Sequence, residues 1–269
     1  MSRMSAVVRG SFMGVLAAFA FTGAARADVD ERIKPLLEEM TRFIAEPEPV
    51  FLRQRIEVAV NAQKQQEQLQ EVWLQDLEHL RMERSDETVV VVTPEDIKMY
   101  IGPPRVLVHI PQATLEGLGE QRDEALQALG ISRPADTVRV MVEGAEHLAV
   151  TGEDTIAEEA CWVVTVGEPL FPHFRKSLSS IPEDFSLKTI LLAIGRETGV
   201  SRSTFFEFTG PAQLEIGITV EEIAEDVEIA DDLFTFEAPD DALVLTWTLD
   251  KTPEQMRKER DEAIANRMK

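Results

Sequence analysis

The residues able to do chemistry are scattered through this chain. Four histidines, His79, His109, His147 and His173, stand singly. None is spaced as HxxxH or HExxH, the arrangements that set two imidazoles on one helical face for a metal ion. Ser177, Ser179 and Ser180 lie outside any G-x-S-x-G context, so an activated serine nucleophile has no support. Acidic pairs at Glu158-Glu159, Glu221-Glu222, Asp231-Asp232 and Asp240-Asp241 could serve a paired-carboxylate hydrolase or hold calcium. No D-x-D-x-D-G loop accompanies them, and 49 acidic against 27 basic residues make such pairs expected, so they read as solvated surface. Cys161 is the one cysteine, and Ala160, Trp162 and Val163 beside it favour a small buried hydrophobe over a redox thiol. The expectation is a chain without catalytic, metal or cofactor residues, and with no disulfide of its own.

The N-terminus is built differently from the rest. Arg3 and Arg9 make a basic head, the stretch from Phe12 to Phe21 is apolar, and Ala25-Arg26-Ala27 offers the small residues a signal peptidase accepts. A helix needs about 20 apolar residues to span a bilayer, so residues 1–27 read as a cleaved secretion signal rather than an anchor. The only cysteine is far from that cleavage point, so the mature protein is not itself a lipoprotein. A net charge of −22 makes binding to nucleic acid improbable, because such affinity rests on Lys and Arg neutralising phosphates. An exported, acidic, periplasmic protein is expected.

These residues need elements to hold them. Ile33, Leu36, Leu37, Met40, Phe43 and Ile44 recur at helical spacing and predict an amphipathic helix ending before Pro47. From Phe51 to Val60 the pattern alternates: Leu52, Ile56, Val58 and Val60 on one side, Arg53, Arg55 and Glu57 on the other, with Gln54 an exception on the first side. Between Lys64 and Met82 the Gln/Glu/Leu content favours a helix, but the surrounding meander favours a hairpin partner strand, which is the expectation here. Val89–Val92, Ile97–Ile101 and Arg105–Ile110 are three short strands, separated by Thr93-Pro94-Glu95-Asp96 and Gly102-Pro103-Pro104. A second amphipathic helix is expected over Gln112–Leu129, stopped by Gly130. Val138–Val142 fits either helix or strand. Strands follow at His147–Thr151, Cys161–Val166, Lys188–Ala193, Val200–Phe208, Gln213–Val220 and Leu233–Phe236, with Gly199 available for a positive φ in the turn before Val200. The tail from Pro253 to Lys269 reads as a charged helix, solvated and frayed rather than docked.

Four segments in order carry a resemblance: the helix and strand from Ile33 to Val60; Leu80-Arg81-Met82-Glu83; Gly152-Glu153-Asp154-Thr155-Ile156 with Ala160-Cys161-Trp162-Val163-Val164; and Asp232-Leu233-Phe234-Thr235-Phe236-Glu237-Ala238-Pro239. Over roughly residues 30 to 245 the chain resembles the periplasmic lipoprotein carriers, the LolA-like and LolB-like proteins with their related periplasmic branches. The resemblance implies a mainly β (α+β) fold, an open, strongly curved antiparallel β-barrel or half-barrel with covering amphipathic helices. It also implies an apolar cavity that shields acyl chains. The carriers proper have an Arg-Pro pair before the third strand, and Asp76-Leu77 stands there in this chain. That difference separates the fold from the carrier's lid latch.

One domain over residues 28–250 is expected, with 1–27 removed and 251–269 as an appended tail. Its expected role is non-enzymatic sequestration of a lipid or an acylated protein by a monomer. The cavity candidates are Leu52, Ile56, Val58, Trp73 and Met82, although ordinary core packing predicts the same alternation. An envelope sensor with a membrane-protein partner on the same fold, and a hydrolase using the acidic pairs, are the alternatives.

Overall fold

The structure, a computed structural model, describes residues 31–45, 49–76, 78–119, 140–178, 181–225 and 227–268. The expected secretion signal and residues 120–129 of the second helix therefore lie outside the described residues, as do Leu77, Val138 and Arg139. In chain order the elements are α1 (Ile33–Ala45), β1 (Val50–Val60), β2 (Gln63–Leu74), β3 (Leu80–Arg84), β4 (Val89–Val92), β5 (Asp96–Ile101), β6 (Val106–Pro111), α2 (Gln112–Leu118), β7 (Leu148–Ile156), β8 (Glu159–Val166), α3 (Phe171–Ser177), β9 (Ser186–Gly195), β10 (Ser201–Thr209), β11 (Leu214–Glu225), β12 (Leu243–Thr246) and α4 (Pro253–Arg267). Residues 140–143 are helical, which resolves the described part of that open segment.

The twelve strands pair in the order β12-β6-β5-β4-β3-β2-β1-β11-β10-β9-β8-β7. The protein is mainly β, as expected. The sheet does not close into a barrel: it ends at β12 on one side and at β7 on the other. The pairs from β2 to β6 and from β7 to β11 are antiparallel, whereas β12 joins β6 in parallel.

The segment with helical composition is β2, paired with β3 through Val72 opposite Met82 and Leu74 opposite Leu80. Ladder pairing and burial outweigh a propensity difference of a few tenths of a kcal/mol per residue. Asn61 and Ala62, both at positive φ (50° and 60°), form the tight reversal between β1 and β2. Two left-handed residues match the right-handed twist of the flanking strands.

Contacts group the chain into two compact units. One comprises residues up to 46, 54–67 and 130–222; the other comprises 47–53, 68–129 and 223 onward. In the first, alternate residues of β8 to β11, among them Val164, Ile190, Leu192, Phe206, Phe208, Ile216 and Ile218, form one apolar core with Ile56 and Val58. Ile33 and Leu36 of α1, Met141 and Phe174 of α3 complete it from the helices. The Arg32 guanidinium donates to the Val150 carbonyl at 3.1 Å and ties the start of α1 to β7.

In the second unit both faces of the β3–β6 meander are covered. Met82, Val90, Met99 and Val108 lie in register on one face and are at most 1 % exposed. The other face carries Arg81, Val91 and Tyr100, and the segment from Asp231 crosses it. Here the structure differs from the expected strand at Leu233–Phe236: Asp231–Phe234 is a 3-10 turn, and residues 235–239 continue without a strand partner. Arg81 Nη1 donates to the carbonyls of Leu233 (2.7 Å) and Thr235 (3.0 Å). Phe234 meets the His79 ring edge-on at 5.5 Å, and Phe236 lies 5.5 Å from Tyr100. The alternating aromatics thus face the sheet from above it, and the strand that follows in the sheet is β12.

The tail differs too. Thr252 caps α4 in a reciprocal capping box with Gln255, Met256 is fully buried, and Arg267 donates to the carbonyls of Arg105 and Asp241. A polar-looking helix is held by its cap, one buried methionine and its last arginine, instead of fraying.

Candidate functional site

In the first unit a groove of about 630 Å³ opens beside α3. Glu168–Leu170 makes a 3-10 turn that runs directly into α3, with a proline in the first turn where a missing N–H costs nothing. Leu170, Phe174 and Leu178 recur every four residues and enter the core. The neighbouring stripe, Phe171, Pro172 and Arg175, is left to line the groove. Opposite it stand Phe185 and the start of β9, Ser186, Leu187 and Lys188, with Thr209 from the end of β10, which pairs with Ser186. Gly210 makes this junction fit: a Cβ there would stand 2.5 Å from the Asp184 backbone carbonyl oxygen, closer than real side chains come.

The lining mixes the apolar Phe171, Pro172, Phe185 and Leu187 with charges of both signs, Glu168 on one hand and Arg175 and Lys188 on the other. Arg175 donates to three carbonyls, those of Leu178 (2.7 Å), Ile181 (2.7 Å) and Pro182 (3.0 Å). Burial pulls its pKa below the ordinary arginine value, yet a guanidinium keeps its proton, so a cation is held here by neutral acceptors. Lys188 pairs with Glu207 at 2.7 Å, and that hydrogen bond holds the Glu207 carboxyl below the usual carboxylate range. No histidine or cysteine is among the lining residues.

Of the five residues proposed from sequence, Leu52, Ile56 and Val58 share one buried face of β1, and none of the five lines this groove. Ile56 and Val58, each 2 % exposed, are packed in the core of the first unit against α1. Leu52 and Met82 are buried in the second unit. Trp73 lies on the opposite face of β2 from Val72 and Leu74, half-buried 5.3 Å from Phe51, whose ring also faces Arg53. The residues that do line the groove were missed, although Phe171-Pro172-His173-Phe174-Arg175, an aromatic and basic run in an acidic chain, was a signal for them.

The other reactive side chains have structural partners. His79 pairs with Asp76 at 2.9 Å and His109 with Asp96 at 3.2 Å, while His173 is exposed. Cys161 is fully buried, and burial with Glu159 beside it pushes the thiol pKa up, away from a reactive thiolate. Glu159 departs from the expected solvated pair. Its carboxylate is ion-paired to Arg202, with only 10 % and 7 % of the two side chains exposed, and accepts from Thr198 Oγ1 at 2.9 Å. It fills the space above Gly195, where any Cβ would collide with it. Among the described residues no helix is long and apolar enough to cross a membrane.

No family model matches the chain, and no curated protein matches it either. Similar folds exist among solved structures. An uncharacterised conserved protein from Thermus thermophilus matches at 14 % identity and a TM-score of 0.44, over 81 % of this chain and 98 % of that one. The MucA/MucB complex of Pseudomonas aeruginosa gives 14 % identity and 0.41, over 77 % of this chain and 60 % of that one. A LolA superfamily protein from Nitrosomonas europaea gives 10 % identity and 0.34, over 75 % and 96 %. The superfamily that the sequence resembles is thus present among the similar structures. The likeness is one of architecture, and at such scores it carries no argument about ligand or partner.

Proposed function

We propose that this is a periplasmic, non-catalytic binding protein that sequesters one apolar chain of a lipid or an acylated protein in the groove beside α3. The observation that carries the reading is the groove's make-up: about 630 Å³, lined by the apolar Phe171, Pro172, Phe185 and Leu187 together with Glu168, Arg175, Ser186, Lys188 and Thr209. Ligand sites of soluble proteins fall in the range of about 300–1,000 Å³ and combine an apolar lining with a few polar groups. Each methylene transferred from water contributes about 0.8 kcal/mol, so a short length of acyl chain is enough to bind.

The test is native mass spectrometry of the protein purified from its own periplasm, followed by solvent extraction, together with titration of a fluorescent fatty acid. One equivalent of probe should bind and raise the melting temperature, by about 2.7 kcal/mol of stability at a hundredfold excess over Kd. Leu187→Asp should weaken binding at least tenfold while circular dichroism stays unchanged. The purified chain should begin at Asp28. Absence of extractable lipid, with probe binding indifferent to Leu187→Asp, would sink the reading. A second reading, an interaction protein of the envelope, is favoured by one observation, the exposed apolar edge at β12.

A further inference from the structure

The sheet has two edges, and they are finished differently. An edge strand presents unpaired N–H and C=O groups, and soluble proteins blunt such edges with charge, bulges or covering groups. β7 has all three: Glu153 and Asp154 are exposed on it, its register shifts between Val150 and Gly152, and Arg32 occupies the Val150 carbonyl. Among the described residues β12 shows none of these three, and only its shortness, four residues, limits it as an edge. Its sequence is Leu-Val-Leu-Thr, without charge or proline, and Leu243 and Val244 are 39 % and 52 % exposed.

The backbone at β12 is open in a defined way. The N–H groups of Leu243 and Trp247 donate to the carbonyls of Arg105 and His109 across the parallel pairing with β6. Alternation then turns the N–H and C=O of Val244 and Thr246 away from β6, to the side where the sheet ends. Four of the five large hydrophobic residues exposed among the described residues, Leu243, Val244, Leu249 and Met268, belong to this strand and the chain after it. Met268 follows Arg267, whose guanidinium holds the Asp241 carbonyl just ahead of β12.

Charge selects the occupant. Asp240 precedes β12 and Asp250 follows it, while the nearby cations are already engaged, Arg105 by Asp241, Lys251 by Glu259 and Arg267 by the Arg105 and Asp241 carbonyls. With a net charge of −22, a second copy of the chain meets repulsion at this edge, whereas a basic segment is attracted. We propose that β12 is a docking edge that accepts, by strand addition, an extended segment of another protein in which apolar residues alternate with lysine or arginine.

Peptides test this on the full chain. The probes are a peptide alternating valine with lysine, the same peptide with glutamate for lysine, and a lysine peptide of equal charge with proline interrupting the valines. Only the first should bind in titration calorimetry, more weakly as salt is added, and it should slow amide exchange at Val244 and Thr246. Val244→Pro removes an outward N–H without touching the ladder to β6, a place where an edge strand tolerates proline. It should abolish binding while leaving the unfolding midpoint near that of the parent chain. If that variant does not fold, the exchange measurement on the parent chain decides. Equal binding of the proline-interrupted or glutamate peptide, unchanged exchange at Val244 and Thr246, or concentration-dependent dimerisation that consumes the edge would each overturn the proposal.

Discussion

Glu159 is committed to a nearly buried ion pair in the first unit. Its sequence neighbour Glu158 sits at φ 66° in the turn between β7 and β8 and is exposed, whereas Glu159 begins β8 and turns inward to Thr198 and Arg202. Burial alone would raise its pKa, but the Thr198 hydroxyl, Arg202 and the Thr198 N–H outweigh that and hold the carboxyl below the ordinary carboxylate range. A folded-state pKa below the unfolded value of about 4.3 stabilises fully above that pH, and the contribution is lost as pH falls through the folded value. Glu159→Gln leaves Arg202 buried without a counter-charge, so it should cost about 3 kcal/mol at pH 7. The cost should shrink only as pH falls through the depressed folded-state pKa, where the parent carboxylate itself becomes protonated. Urea titrations of both proteins at neutral and acidic pH measure this, and an equal cost at both would show that the charge contributes nothing. Composition could not have separated the two glutamates, because a pair in an acidic chain looks uniform until a turn assigns one of them to each side.

Elements were legible where burial and punctuation agreed. β4, β5 and β6 were readable because β-branched runs are broken by Thr-Pro and Gly-Pro-Pro, and β2 because its neighbours require a pairing partner. The segment after Ala230 was misread for a physical reason: Phe234 and Phe236 alternate as a strand would, but the alternation serves contacts to His79 and Tyr100 across a face rather than a ladder. Arg81 is what holds it there. Arg81→Ala removes the donor to two carbonyls and should cost about 1.5–3 kcal/mol, the range for hydrogen bonds to a charged group. The more specific outcome is local: proteolysis and amide exchange should speed up within residues 231–239 before the β3–β6 ladders open. If protection there is unchanged in the variant, the aromatic contacts alone secure the segment.

At the scale of the molecule, alternation in the sequence located the buried faces but not the groove. Leu52, Ile56, Val58 and Met82 are buried as their spacing demanded, yet the groove needs residues 168–175, 185–188 and 209 brought side by side, which no local period encodes. Charge is a whole-chain property that the sequence does state, and its effect on stability has a sign. A net −22 opposes compaction, while exposed surface pairs such as Lys64–Glu57 and Lys188–Glu207 favour it only weakly, because solvent screens them. Raising ionic strength from about 0.01 M to about 0.15 M shortens the screening length from about 30 Å to about 8 Å. Repulsion summed over long distances is lost first, and pairs in contact much less, so the melting temperature should rise with added sodium chloride by a few degrees. Mild acidification toward pH 5 should act in the same direction, because it lowers the net charge before Glu159 is protonated. A melting temperature that falls with salt would instead mean that the ion pairs outweigh the repulsion. Calorimetry across the salt series at pH 7, repeated at pH 5 where the salt effect should be smaller, separates the two.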